Sequence, residues 1–182
     1  DEWTRLAQAG DNLSKTQIYF DESSDITVPQ MKAKLRRMKR VDLVIIDYLG
    51  LMHSAKATDN RVQEISEITR SLKIMAKELN VPVITLSQLS RASEQRPDHR
   101  PQLSDLRDSG SIEQDADIVL FLYRDEYYKE SDASAAKAAA ESANTAEIIV
   151  AKNRHGAVGS VAMGWNAQFT KFRTLDETDR VE

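Results

Sequence analysis

The chain has 182 residues, of which 41% are hydrophobic and 30% charged, a composition typical of a globular domain with its own core. The absence of cysteine excludes disulfides and thiolate metal sites, and the net charge of -4 excludes a globally basic, polyanion-binding surface. No apolar run approaches the roughly 20 residues that cross a bilayer, and the N-terminus is polar, so we expect a cytoplasmic protein without a membrane partner.

The first part of the chain predicts two helices around a short strand. Residues 2–15 form an amphipathic pattern, residues 18–20 predict a strand, and residues 28–40 repeat apolar side chains at helical spacing. The other face of the second helix is densely basic. Such a face is more often solvated than a nucleic-acid site, and we interpret it in that way.

The run VDLVIIDYLGLM, residues 41–52, predicts a buried strand over 41–47 that ends in Asp47. A carboxylate at the end of a buried strand is costly unless a cation or a hydrogen-bond donor meets it. Asp47 is therefore the first candidate functional residue.

The middle of the chain predicts an α/β fold. A long helix over 61–79 is followed by a second aliphatic strand over 81–88, and a third strand covers 118–124. Aliphatic rather than alternating strands are typical of a parallel sheet flanked by helices on both faces. The Ala- and Ser-rich residues 130–145 predict a mobile insertion, and the last strands predict an antiparallel β edge at the C-terminal end.

Polar residues follow the three aliphatic strands at Asp47, Gln88 and Arg124. In open α/β sheets, ligands gather beyond the carboxyl ends of the strands. An aspartate after four aliphatic residues matches the Walker B pattern, in which the carboxylate holds the Mg²⁺ of a bound nucleotide, usually through water. Gln88 could position water or sense a γ-phosphate. The alternatives are that Asp47 caps the next turn and that Gln88 only begins a loop.

Four segments together resemble one family. They are LVIIDYL, PVITLSQLSR, RPQLSDLRDSGSIEQDADIVLFLYRDEYY and AEIIVAKNRHGAVG. In this order they resemble the C-terminal motor domain of DnaB-type replicative helicases, a RecA-like P-loop ATPase. The resemblance extends over nearly the whole chain, and DLRDSGSIEQDAD is its most specific part, because RecA and generic P-loop ATPases do not share it.

The resemblance implies a function and its cofactors. It implies an ATP-dependent replicative helicase, a homo-hexameric ring that moves 5′ to 3′ along single-stranded DNA, with ATP and Mg²⁺ as cofactors. A primase and a helicase loader are the further partners that it implies.

The resemblance also implies roles for residues around the ATP. Asp47 is placed near Mg²⁺, and Gln88 senses the γ-phosphate and links nucleotide state to the DNA loop. Lys152 and Arg154 match a K-x-R pair that reaches the neighbouring subunit's ATP, with Arg154 as the arginine finger. Alternation along a strand puts these two cations on the same side. Judged from the residues alone, they could equally be solvated cations beside a hairpin turn.

Arg107, Asp108 and Gly110, in DLRDSG, match the loop with which the family grips the DNA backbone. Arginine supplies a charge-assisted bond to phosphate, and glycine lets a backbone N–H approach closely. The family usually has glutamate where this chain has Asp108, so the role of the shorter acid is less firmly implied than that of Arg107. Three loop arginines, at positions 91, 96 and 100, are either an added attraction for DNA or plain surface charge.

The phosphate-binding loop G-x-x-x-x-G-K-S/T is missing from the sequence, in which none of the six glycines precedes a Lys-Ser or Lys-Thr pair. In the family that loop lies upstream of the matching region. We therefore expect residues 1–182 to form a single partial motor domain that binds ATP weakly or not at all and does not hydrolyse it alone.

Two other functions compete with the helicase. A RecA-type recombination or repair ATPase would share Asp47 and Gln88 but not the DLRDSGSIEQDAD segment. A non-catalytic adapter that binds DNA or a helicase would fit the missing phosphate loop. It would have no need, however, to keep Asp47, Gln88, Lys152 and Arg154 together.

Overall fold

A computed structural model describes residues 2–23, 25–55, 58–106, 110–124 and 145–175. The predictions for Arg107 and Asp108, and for the insertion as far as residue 144, lie outside these described residues. Residue 145, the last of the predicted insertion, begins a strand instead.

Four α-helices are described: α1 (Glu2–Ser14), α2 (Val28–Arg37), α3 (Arg61–Leu79) and α4 (Gly110–Asp115). The three long helices are confirmed, although α2 ends three residues before the predicted residue 40. Helix α3 begins where the Asn60 side chain accepts hydrogen bonds from two backbone N–H groups, and ends where Asn80 adopts a left-handed conformation with φ of 52°. None of the helices in the described ranges is both long and apolar enough to cross a membrane.

The strands form two sheets. A parallel pair consists of β1 (Val44–Ile46) and β2 (Val83–Thr85), and an antiparallel sheet consists of β3 (Ile118–Tyr123), β4 (Thr145–Asn153), β5 (Gly159–Asn166) and β6 (Lys171–Arg173). The mixed α/β class, the parallel pair and the C-terminal antiparallel edge are confirmed. The third aliphatic strand does not join the parallel pair within the described residues, where β3 is the edge strand of the antiparallel sheet and pairs with β4.

The predicted strand at residues 18–20 is also wrong. Ile18, Tyr19 and Phe20 are 57%, 69% and 88% exposed, and they belong to no strand. The preceding helix α1 buries none of its residues. A short strand is stable only when a neighbouring strand pairs with it and one of its faces is buried, and no described strand does so here.

Helices cover one face of the strands rather than two. The core residues come from the β1 region, α2, α3 and α4: Ile46, Leu49, Met52, Val28, Ile65, Ile68, Leu72, Met75 and Ile112. On the opposite face, Ile45, Ile84 and Leu120 are 63%, 49% and 54% exposed. The expectation of helices on both faces is therefore not met within the described residues.

Asp105 anchors the segment that leads to residues 107–109. Its carboxylate is 1% exposed and accepts hydrogen bonds from both terminal nitrogens of Arg96, at 2.9 Å for Nη1, and from the backbone N–H of Gln102 at 2.7 Å. Its backbone carbonyl accepts from the N–H of Ser90 at 2.8 Å. The Arg96 guanidinium and the Gln102 N–H lower the pKa of Asp105, so the carboxylate is ionised at neutral pH.

Two of the three arginines of this loop bind carboxylates of the same chain. Besides Arg96, Arg100 forms a bidentate ion pair with Glu147 at 3.0 and 2.5 Å and lies 5.0 Å above the ring of Tyr123. Arg91, by contrast, is exposed. Two of the three arginines are therefore partners of internal carboxylates, in line with structural rather than DNA-attracting charge.

We expect Asp105→Asn to lower the free energy of unfolding by roughly 3 kcal/mol at pH 7, because Arg96 then lacks its buried partner. A lowered carboxyl pKa stabilises the fold above the unfolded value of about 3.9 and stops doing so as pH falls through the folded pKa. Urea unfolding at pH 7 and pH 3 should show the difference between wild type and variant shrinking at the lower pH.

Asp42→Asn is the matched control, since Asp42 pairs with Arg40 and its side chain is 72% exposed. This variant should lose less than about 1 kcal/mol. Equal losses in the two variants, or a loss in Asp105→Asn that does not change with pH, would contradict the assignment of Asp105 as an ionised anchor.

Candidate functional site

Asp47 and Gln88 lie at the same edge of the parallel pair. Asp47 directly follows β1, and Gln88 lies three residues beyond the end of β2. Past the strand ends, the N–H of Leu86 donates to the Ile46 carbonyl at 2.9 Å, and the N–H of Leu49 donates to the Leu86 carbonyl at 2.8 Å. The structure thus brings the two predicted residues to one sheet edge, as expected for parallel strands.

Asp47 is exposed, contrary to the expectation of a buried carboxylate. β1 is only three residues long, so the strand ends before Asp47 and the carboxylate extends into solvent. It takes part in no hydrogen bond or ion pair with the described residues. Because the carboxylate is exposed, it does not need the buried partner that the sequence predicted.

The exposed Asp47 carboxylate fits a Mg²⁺ ion that is held partly by water. Mg²⁺ keeps several waters and is usually bound by one or two carboxylates together with substrate phosphates. Within the described ranges no group of three His, Asp or Glu side chains could hold a metal without such a substrate. Asp47 could thus be the protein's contribution to a nucleotide-bound ion.

A cleft of about 200 Å³ lies beside this edge. Its lining residues come from the segments that follow β1 and β2, from α3 and from α4: Tyr48, Leu49, Gly50, Arg61, Ile65, Ser87, Gln88 and Ile112. Pockets that enclose small-molecule ligands measure roughly 300–1,000 Å³. The cleft is therefore too small to enclose a nucleotide by itself, and Gln88 stands at its rim exposed to solvent.

Gly50 allows a close approach beneath the cleft. A Cβ atom at this position would lie 2.5 Å from Cε2 of the Tyr48 ring, so any other residue would displace the ring. The Gly50 carbonyl accepts from Nη2 of Arg61 at 2.7 Å, and the Met52 carbonyl accepts from its Nη1 at 3.2 Å. Arg61 thus ties the turn after Asp47 to the start of α3.

Lys152 and Arg154 contact the last turn of α4. The Lys152 ammonium donates to the Glu113 carbonyl, and Nη2 of Arg154 donates to the Gln114 carbonyl at 3.1 Å. Carbonyls in the last helical turn lack intrahelical partners, and the C-terminal end of a helix favours cations. Both cations therefore lie on the same side, as predicted, and they are capping groups rather than fully solvated charges.

A β-bulge orients Lys152. Val119 pairs with Lys152 and Leu120 with Val150, which leaves Ala151 unpaired. Paired residues of neighbouring strands share a face, so Lys152 shares the face of Val119, which is buried. A regular ladder would instead pair Lys152 with Ile118, on the exposed face. The single extra residue thus directs the cation toward α4.

The Asp117 carboxylate contacts two cations, Lys73 of α3 and Arg154. Its Oδ2 accepts from the Lys73 ammonium of α3, and its Oδ1 lies 3.3 Å from Nε of Arg154. The Arg154 backbone N–H also donates to the Asp117 carbonyl at 2.8 Å. Lys73 first, and Arg154 in addition, lower the pKa of the Asp117 carboxyl group.

Asp117 and the contacts between α3 and α4 were not found from the sequence. Ser66 donates to Ser111 at 2.9 Å and Thr69 donates to Asp115 at 2.6 Å, so α3 holds α4 through side chains one turn apart. The partners are more than 40 residues apart in the chain. Asp117 ends the DLRDSGSIEQDAD segment and directly precedes an aliphatic strand, but neither signal indicates its partners.

Helix α4 lies between the two groups of predicted residues. Its Ile112 lines the cleft beside Gln88, whereas its last carbonyls hold Lys152 and Arg154. Among the described residues, no hydrogen bond or ion pair joins these cations to Asp47 or Gln88. The structure therefore does not gather all four residues into one site.

Of the three predicted DNA-contacting residues, the structure describes Gly110, the first residue of α4. A Cβ atom there would meet no described atom within 4 Å, so packing inside the chain does not require glycine at this position. Arg107 and Asp108 lie outside the described residues, and all three roles remain predictions.

Comparison with known proteins identifies relatives over nearly the whole chain. The family model of the DnaB-like helicase C terminal domain matches residues 1–174. The replicative DNA helicase DnaB of Rickettsia prowazekii is 48% identical over 189 residues, which cover 97% of this chain and 39% of that protein. The replicative DNA helicase DnaB of Geobacillus stearothermophilus is 48% identical over 180 residues, covering 97% of this chain and 38% of that protein.

Solved structures agree with these relatives. A structure of a DnaB-like replicative helicase, described together with its interactions with primase, superposes with a TM-score of 0.86 at 42% identity, covering 97% of this chain and 42% of that one. A structure of an ATPase domain gives the same TM-score and identity, and covers 97% of this chain and 61% of that one. The chain thus spans about two fifths of the length of the curated relatives that it matches.

Proposed function

Because this chain belongs to the DnaB-like helicase C-terminal domain family, we propose that it is part of the ATP-driven motor of a replicative DNA helicase. The proposal concerns a longer protein, since the chain covers about 39% of a full relative. One observation carries it beyond the family match. Asp47 and Gln88 follow neighbouring parallel strands at one sheet edge, while Lys152 and Arg154 are directed to the C-terminal end of α4.

Asp47 and Gln88 form the part of the ATP site that this chain would supply. Asp47 would hold Mg²⁺ through water, and the ion would neutralise charge that develops on the phosphates during transfer. The fold expected for such a site is RecA-like, with the phosphate-binding loop contributed by another part of the same protein. The small cleft beside Gln88 supports this division, because a nucleotide needs more walls than the described residues provide.

Gln88 would connect the γ-phosphate to DNA. The next residue, Leu89, forms a β-bridge with Leu106, directly before residues 107–109. A shift of the Gln88 amide on hydrolysis would therefore be transmitted to the neighbouring DNA loop through a main-chain contact. Arg107, Asp108 and Gly110 would grip phosphates there, which positions the strand without reading its sequence.

Arg154 would act on the ATP of a neighbouring subunit. Helix α4 lies between Arg154 and the sheet edge that carries Asp47, so Arg154 would reach the ATP of a second copy rather than the ATP of its own chain. In a closed ring of six copies, every ATP site would receive an arginine from a neighbour. Charge on the transferred phosphoryl group is stabilised by such an arginine, which can be worth roughly 10³–10⁵ in rate. Lys152, on the same side, would add a second positive charge.

The direction of movement and the partner proteins are proposed from family membership. We propose movement 5′ to 3′ on single-stranded DNA, with a helicase loader and a primase as partners. The primase is supported by a relative whose structure was described with its interactions with primase.

Action of Arg154 between subunits can be tested by forked-duplex unwinding and ATP hydrolysis, in a protein that contains these residues together with a phosphate-binding loop. Arg154→Ala and Asp47→Asn should each lower ATP hydrolysis by roughly 10³-fold. Mixed subunits of the two variants should regain activity, because some interfaces then combine an intact Asp47 with an intact Arg154.

Arg37→Ala, which changes an exposed arginine on α2, is the control and should hydrolyse ATP at the wild-type rate. Single-strand binding by the parent protein without unwinding would favour the recombinase or adapter. Failure of the mixture to recover any activity would show that Arg154 does not act between subunits.

The proposed link between the γ-phosphate and DNA can be tested by substituting Gln88. Gln88→Ala should reduce the stimulation of ATP hydrolysis by single-stranded DNA about tenfold, while basal hydrolysis changes less, because the residue links the phosphate to the DNA loop rather than performing the chemistry. Steady-state hydrolysis with and without a homopolymeric strand measures both quantities. Ser87→Ala, a neighbouring exposed residue, provides the comparison. Equal stimulation in wild type and Gln88→Ala would rule out the proposed link.

A further inference from the structure

The guanidinium of Arg154 is held along one edge only. Nε lies 3.3 Å from Oδ1 of Asp117, and Nη2 donates to the Gln114 carbonyl at 3.1 Å. These two nitrogens form one side of the planar fork, which carries five N–H donors in total. Nη1 enters no hydrogen bond with the described residues, and the side chain is 47% exposed. The second edge is thus open to a ligand.

We propose that Asp117 is a positioning residue for Arg154: it fixes the Nε edge of the guanidinium so that Nη1 can bond to a phosphate oxygen of a nucleotide bound by a second copy. This inference rests on the proposed function, because it takes Arg154 as the residue that reaches the neighbouring nucleotide.

The surroundings of Asp117 suit this role. Its two oxygens are divided between two cations, with Lys73 on Oδ2 and Arg154 on Oδ1. Lys73 lowers the pKa of the carboxyl group, so the group remains charged at neutral pH. Lys73 also lies on α3, the longest described helix, which gives the carboxylate a rigid support.

Positioning matters here because an arginine has many rotamers. The Arg154 backbone is fixed by its N–H bond to the Asp117 carbonyl, but the long side chain beyond it would otherwise move freely. An interaction that holds the guanidinium near its reactive position lowers the entropic cost of reaching the transition state. The effect should therefore appear in kcat rather than in the binding of ATP.

The experiment uses the ring-forming protein that carries this chain, with DNA-stimulated ATP hydrolysis as the assay. Asp117→Asn is nearly isosteric and removes the charge. We expect kcat to fall about 10- to 100-fold, the range that misplacement of a catalytic group produces, while KM for ATP stays within about twofold. An unchanged kcat would overturn the inference.

Lys73→Met separates positioning from simple attachment of α3 to β3. This variant removes one cation from Asp117 but leaves the Arg154 contact, so kcat should fall by less than about threefold. A loss as large as that of Asp117→Asn would show that the carboxylate serves only to tie α3 to β3. Asp42→Asn, an exposed carboxylate paired with Arg40, controls for the change in charge.

A double variant supplies the readout that a purely structural role would not produce. If Asp117 acts through Arg154, adding Asp117→Asn to Arg154→Ala should change kcat by less than about twofold. Multiplying losses would overturn the inference. A loss in Arg154→Ala with wild-type kcat in Asp117→Asn would overturn the inference alone, whereas wild-type kcat in Arg154→Ala would overturn the proposed function as well.

Ring assembly and circular dichroism check that each variant folds. If Asp117→Asn does not assemble, Asp117→Glu replaces it, because it keeps the charge but moves it by one methylene. We then expect a lower kcat at unchanged KM, and wild-type kcat in Asp117→Glu would contradict the positioning role.

Discussion

The capping of α4 by Lys152 and Arg154 is the interaction on which the candidate site depends. A helix of six residues cannot form by itself, since helix nucleation is costly and isolated helices below about 12 residues are marginal. Two cations on its last carbonyls, and polar side chains of α3 along its side, hold it in place. Without them, α4 would lose the contacts that hold its C-terminal turn.

The position of α4 fits the proposal that one chain contributes to two sites. On one side, Ile112 contributes to the cleft beside Gln88, and on the other, the Glu113 and Gln114 carbonyls orient the cations. A change at the residues before Gly110 therefore has a short path both to Gln88, through the Leu89–Leu106 bridge, and to Arg154, through α4. Such paths are what the proposed motor would need if DNA, the nucleotide of one copy and the nucleotide of its neighbour respond to one another.

The sequence predicted well wherever local signals were sufficient. The period of apolar residues predicted α3 at its observed bounds, and the structure adds the Asn60 and Asn80 caps at its ends. The aliphatic runs located β1, β2 and β3, and Asp47 and Gln88 emerged as strand-end residues that the structure brings together. The pairing of β3, and the exposure of one sheet face, could not be predicted. An aliphatic strand is equally compatible with parallel or antiparallel neighbours, and burial depends on which helices cover it.

The features that the sequence did not predict are those that orient the side chains of the candidate site. Asp117 is the last residue of the DLRDSGSIEQDAD segment, but the sequence could not assign it a role because its partners, Lys73 and Arg154, are distant in the chain. The orientation of Lys152 depends on one unpaired residue, Ala151, and no pattern of hydrophobicity marks a bulge of this kind. Strand alternation correctly placed Lys152 and Arg154 on a common side, but only the bulge decides which side that is. Sequence rules therefore fail at local irregularities such as this bulge, which lie next to the candidate functional residues.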